Sequence, residues 1–384
     1  MKPITRRRCL KQIGCAVTAT TLPVFLDLRS FAATEAESQP EPTSGEREAL
    51  ADIAKQFLER YKSPGLSVAI ARHGKFVYVE GFGVADKKTG ERVTSSHLFR
   101  ICSVTKPMTS VAIYTLMEQG KLKLDDLVFG PRKLLGGYFR TSDLPFVEEL
   151  TIHHLLTHTA GGWSNSKNDP MFAEPKLNRH ELIAWTLKNC PLENKPGTQF
   201  AYSNFGYCIL GRVVEKVSGK SYEKFMRDDI FAKCGVQNMQ LAGNMLAERA
   251  KGEVVYYDQT GGDPYGMNVR RMDSHGGWLG TPSDVVRFAL HVDGFDYVPN
   301  ILRKETIALM TAGSAANPGY ASGWMVNSAH NWWHAGNLPG AVSFLVRTKR
   351  GMSWAAFANT RCAGGVDLDD LMWKMAKAVP AWKA

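Results

Sequence analysis

Leu98-Phe99-Arg100-Ile101-Cys102-Ser103-Val104-Thr105-Lys106 is an apolar approach to a serine standing three residues before a lysine, and residues 105–118 continue with the spacing of a long apolar helix. If Ser103 opens that helix, its side chain and that of Lys106 share one face, a turn apart. A helix start offers unpaired backbone N–H groups and positive potential, which favour an alkoxide or an anionic tetrahedral intermediate. A lysine desolvated there can lower its pKa and accept the serine proton. The spacing alone decides nothing, because the chain repeats it twice. Ser164-Asn165-Ser166-Lys167 sits in a polar, loop-like stretch, and Ser221-Tyr222-Glu223-Lys224 begins an amphipathic helix with Ser221 as N-cap. Only Ser103 has the apolar approach and the apolar helix behind it.

Two further patterns lie downstream. Tyr202-Ser203-Asn204 is the single Tyr-x-Asn in the chain. A tyrosine hydroxyl beside a lysine can share or relay a proton, and an asparagine amide can hold a substrate carbonyl. The third requirement is a cation or imidazole on a strand, followed by glycine so that substrate can approach the backbone. Lys88-Thr89-Gly90 precedes Ser103 and reads as a hairpin turn, Lys349-Arg350-Gly351 is another turn, and His275-Gly276-Gly277 reads as a loop. His334-Ala335-Gly336 follows two tryptophans and leads through Asn337-Leu338-Pro339-Gly340 into an apolar strand. It is the best match.

Working outward, 66–71 and 76–81 are β-rich runs joined at His73-Gly74, and 341–347 and 352–358 repeat that arrangement near the other end. Helical spacing covers 45–61 and 367–378, and also 179–187, 205–217, 222–231 and 283–292 between the hairpins. The pattern predicts a mixed α/β (α+β) fold. N- and C-terminal strands form one antiparallel sheet flanked by helices, a mostly helical middle region packs on it, and the site lies in the cleft between the two.

The 384 residues carry a net charge of +10, unevenly placed. Without residues 1–32 there remain 41 basic and 36 acidic residues, scattered, so no nucleic-acid partner is expected. Thr5-Arg6-Arg7-Arg8-Cys9-Leu10-Lys11 resembles a twin-arginine export motif, an apolar run follows from Ile13 to Leu26, and Ser30-Phe31-Ala32 offers small residues for cleavage. That run is too short for a comfortable membrane span. The division expected is a signal segment at 1–32, a linker at 33–48 and a catalytic domain at 49–384, exported to the periplasm or beyond. Cys102, Cys190, Cys208, Cys234 and Cys362 remain after cleavage; an odd number without paired spacing fits neither a closed disulfide framework nor a zinc site.

The order Ser-x-x-Lys, Tyr-x-Asn, His-x-Gly resembles the β-lactamase-related serine hydrolases: class C β-lactamases, D-Ala-D-Ala carboxypeptidases of the penicillin-binding type, D-aminopeptidases and related esterases. Residues 151–162 (TIHHLLTHTAGG), 276–284 (GGWLGTPSD) and 334–340 (HAGNLPG) resemble further segments of that family. The resemblance covers most of 49–384 and implies a β-lactamase-like fold. It also implies a two-step acyl transfer to Ser103, with Lys106 and Tyr202 moving protons and either one the principal base. Asn204, His334, Gly336 and Asn337 would bind substrate, with the N–H groups of Ser103 and Asn337 as the oxyanion hole. His334 stands where many β-lactamases have lysine, which weakens the case for a dedicated β-lactamase. The expected partner is a small-molecule or peptide substrate, with no metal or cofactor implied. The alternatives are β-lactam hydrolysis and a penicillin-binding sensor that acylates without efficient turnover.

Overall fold

In the computed structural model, residues 41–138, 144–167 and 169–382 are described. Helix α1 (Ser44–Tyr61) begins where Thr43 and Glu46 cap each other reciprocally, so regular structure starts inside the segment read as linker to residue 48. The helical spacing read over 45–61 agrees with that helix to within one residue at its start. The proposed signal segment lies outside the described residues.

Strands β1 (Gly65–Arg72) and β2 (Lys75–Asp86) form the first hairpin. β3 (Glu91–Arg92) and β4 (Met325–Val326) are short edges, and β5 (Trp332–Leu338), β6 (Ala341–Arg347) and β7 (Met352–Ala358) form a meander. They assemble in the order β3-β2-β1-β7-β6-β5-β4, and the β1–β7 pairing, Val68 opposite Ala356, joins the chain's two ends. The predicted hairpins are therefore the centre of a wider sheet.

Every residue of β1 and β7 is buried because both sheet faces are covered. On one face Leu66, Val68, Ile70, Trp354 and Ala356 pack with α1 and the C-terminal helix at Leu368–Ala378. On the other, Ala69, Ala71, Ala355 and Phe357 join the core of the helical region. Within that region helix α2 (Thr105–Glu118) is buried continuously from Thr105 to Leu116. A helix apolar on all sides is stable only when surrounded. Among the described residues no helix is long and apolar enough to cross a membrane.

Candidate active site

The chain reaches Ser103 through backbone held on both sides. Phe99–Arg100 pairs with Trp278–Gly280, Ile101 N–H donates to the Trp278 carbonyl at 2.9 Å, and Ser343 Oγ donates to the Ile101 carbonyl at 2.6 Å. Cys102 then takes a left-handed conformation, φ 50°, which an L side chain adopts at a cost and only when its surroundings impose it. Its thiol is wholly buried, and burial pushes its pKa up to about 12, so it stays protonated beside the serine. Ser103 occupies a 3-10 turn, Cys102–Val104, directly before α2 rather than within the helix.

Lys106 is fully buried one turn on. Its Nζ lies 3.2 Å from Ser103 Oγ, 2.7 Å from Asn204 Oδ1 and 3.3 Å from the His275 carbonyl oxygen, and 4.6 Å from the centre of the Tyr202 ring. Burial lowers its pKa to about 7, and Asp169 opposes that shift. An amine poised there can take a proton at neutral pH and return it.

Tyr202 is held by the turn leading into helix α3 (Asn204–Ser218), whose N-cap Ser203 accepts from Gly206 N–H at 3.0 Å. Burial raises the Tyr202 pKa, with a hydrogen bond to Ser103 acting against it, so the phenol keeps its proton. Asn204 is more occupied than its predicted role requires. Its Oδ1 receives Lys106, while Nδ2 donates to Asn165 Oδ1 at 2.5 Å and Asp169 Oδ2 at 3.0 Å. Both amide hydrogens are thus used within the protein.

His334 lies on β5, as a site strand requires, but as a buried, neutral imidazole rather than a cation. Burial lowers its pKa to about 3, with Lys106 adding to the effect. Hydrogen bonding fixes its tautomer. Ser203 N–H donates to His158 Nδ1 at 3.0 Å, so the His158 proton sits on Nε2 and points at Tyr320 Oη, 3.1 Å away. His334 Nδ1–H donates to the Ala335 carbonyl at 2.7 Å, leaving Nε2 to accept from Tyr320 O–H at 3.2 Å. One directed chain therefore runs from the turn carrying Tyr202 to the strand carrying His334. Gly336 is required by contact: a Cβ there would lie 2.2 Å from Ser343 Oγ and 2.7 Å from Cys102 Cβ.

A cavity of about 550 Å³ opens over these groups and brings together Ser103, Tyr202, Asn204, His334, Gly336 and Asn337. Lys106 lies beneath it, in contact with Ser103. Phe172, Met267, Met272 and Met325 give the cavity a soft apolar side. β4 covers only Trp332 and Trp333, so no described strand pairs with the outer edge of β5 from His334 to Leu338. Sequence reasoning missed four residues. The His275 carbonyl belongs to a segment set aside as a loop, and Asp169, His158 and Tyr320 carry no spacing that marks them. In the other two Ser-x-x-Lys copies the lysine is at the surface, Lys167 paired with Glu193 and Lys224 with Asp228, although Asn165 of the first copy lines the cavity and accepts from Asn204.

Residues 50–374 match the family described as Beta-lactamase. Penicillin-binding protein 4 of Amycolatopsis lactamdurans is 29% identical over 304 residues, 73% of this chain and 77% of that protein. Protein flp of Staphylococcus aureus strain MW2 is 26% identical over 79% of this chain, which spans only 61% of that protein's length. The crystal structure of D-amino acid amidase from Ochrobactrum anthropi SV3, complexed with L-phenylalanine, shares the fold with a TM-score of 0.73 at 22% identity, covering 89% of this chain and 100% of that one. The seven-stranded sheet, the Ser103–Lys106 pair and the match across 50–374 agree: this chain belongs to the Beta-lactamase family.

Proposed function

We propose that the protein is a serine hydrolase that forms an acyl-enzyme on Ser103 and acts on a D-amino-acid peptide or amide, or on a small ester. The observation that carries this reading is Lys106 Nζ at 3.2 Å from Ser103 Oγ with its pKa lowered to about 7. Neutral Lys106 takes the Ser103 proton as Oγ bonds to the substrate carbonyl carbon, and the carbonyl electrons move to oxygen. The N–H groups of Ser103 and Asn337 are the donors assigned to that oxyanion. Collapse breaks the C–N or C–O bond, and Tyr202, whose phenol holds its proton, protonates the leaving group and recovers a proton from Lys106. Water then attacks the ester, returning Ser103 and releasing the acid.

A neutral His334 favours an amide or ester over a substrate needing a cation at that strand. The open edge of β5 suits an extended peptide, whose main chain would pair with it. The twin-arginine motif supports work outside the cytoplasm. Chromogenic short-chain esters, D- and L-amino-acid amides and a chromogenic cephalosporin, assayed with wild type and Ser103→Ala, test the reading. Ester and D-amide turnover that vanishes in Ser103→Ala is expected. Cephalosporin hydrolysis exceeding both would make the protein a β-lactamase, and a lasting penicillin adduct without turnover of anything would make it a sensor.

A further inference from the structure

Behind Lys106 lies a carboxylate that the reaction, as written, does not use. Asp169 is 6% exposed. Its Oδ1 accepts Met171 N–H at 3.0 Å and its Oδ2 accepts Asn204 Nδ2 at 3.0 Å. Burial raises its pKa above the ordinary carboxylate range, while these two hydrogen bonds and the charges of Lys106 and Arg271 act in favour of the ionised form. The same Asn204 amide receives Lys106 at 2.7 Å. Carboxylate, amide and amine thus form a line ending at Ser103. The backbone after Asp169 is clamped by Arg271, which donates to the carbonyls of Glu174 at 2.5 Å, Leu177 at 2.7 Å and Met171.

The other titratable groups facing this line are uncharged at neutral pH. His158, His275 and His334 are held well below the ordinary histidine range by burial. Cys102, Tyr202 and Tyr207 are pushed up by burial, so they keep their protons. That leaves Lys106, Asp169 and Arg271 as the charge carriers, with Arg271 hydrogen-bonded to main-chain carbonyls.

We propose that Asp169 is a positioning residue for the Ser103–Lys106 pair: through Asn204 it holds the Lys106 amine against Ser103, and it supplies the counter-charge once Lys106 has taken the serine proton. The inference rests on the serine-hydrolase reading above. Its logic is electrostatic. An anion behind the amine stabilises the ammonium that forms in the acylation step, and therefore also raises the pH at which the resting amine loses its proton. Loss of the anion must slow the reaction and, at the same time, move the acid limb of the rate profile to lower pH. A residue that only braces the loop would slow the reaction and leave the limb in place.

Asp169 also caps the short helix Pro170–Ala173, so the test variants are Asp169→Asn and Asp169→Ser, both able to cap. For the full protein and each variant, kcat/KM for a chromogenic ester is measured from pH 5 to 10. The acid limb is expected to move down by roughly one pH unit, with the plateau about tenfold lower, the rate equivalent of about one pKa unit of lost counter-charge. Asp169→Glu should restore the wild-type limb. A limb unmoved in both neutral variants overturns the inference. Carbon NMR of the wild-type Asp169 carboxyl needs no variant to fold: ionisation complete below the pH at which Lys106 titrates is required, and a carboxyl still protonated at pH 7 overturns the proposal. Turnover surviving in Ser103→Ala would instead sink the hydrolase reading itself.

Discussion

Replacing Lys106 by Met should change the protein's stability by an amount that depends on pH, moving in favour of wild type as pH rises. In the folded state Lys106 has its pKa lowered from 10.5 to about 7, chiefly by burial, and none of its side chain reaches solvent. Unfolding restores the ordinary value, so between these limits the unfolded chain holds a proton that the folded one has released. Raising pH strips that proton from the unfolded chain and favours folding. At about 1.4 kcal/mol per unit, the burial costs about 5 kcal/mol below pH 6, where both states are protonated, and under 1 kcal/mol at pH 10. Met keeps most of the volume but leaves Ser103 Oγ, Asn204 Oδ1 and the His275 carbonyl without this donor, a loss that pH does not alter over this range. The pH-dependent part is therefore the clean quantity. Urea denaturation of wild type and Lys106→Met at unit steps from pH 5 to 10 reads it. The difference should be nearly flat up to pH 6 and then move by about 4 kcal/mol in favour of wild type by pH 10. A difference that stays level from pH 7 to 10 would refute a depressed lysine, and with it the base assigned to Ser103.

Tyr202→Phe should lower kcat by about 10²–10³-fold while leaving the urea midpoint near wild type, since only a proton carrier is lost. Gly336→Ala should destabilise by about 2 kcal/mol and impair turnover further, because its Cβ would lie 2.2 Å from Ser343 Oγ and 2.7 Å from Cys102 Cβ; calorimetry and ester kinetics read both effects. Tyr320→Phe removes the hydroxyl between His158 and His334, at a cost of about 1–3 kcal/mol. Nitrogen NMR of His334 should then show an Nε2 without a hydrogen-bond donor.

What the sequence disclosed follows from range of contact. β6 and β7 could be read to their bounds because both faces are buried and the runs are mostly apolar. β5 alternates buried and exposed positions and contains Gly336 and Asn337, so it read as a lead-in to a strand. In the site, Ser103 and Lys106 are local neighbours, and their spacing was visible once the apolar helix singled out one copy of three. Asp169 and Asn204 are 35 residues apart, as the folded chain alone brings them together. Tyr320 joins His158 and His334 across 162 and 14 residues. No period or motif encodes such meetings. The charge state of His334 was equally hidden, because burial sets it and residue type does not.

The central claim is that Ser103 Oγ is the nucleophile. Intact mass and peptide mapping after treatment with a fluorophosphonate test it directly, using wild type and Ser103→Ala at pH 8, where Lys106 is largely neutral. One adduct on the peptide holding Ser103, absent from Ser103→Ala, is the predicted result. An adduct on another residue, or one that persists at wild-type yield in Ser103→Ala, would contradict the account.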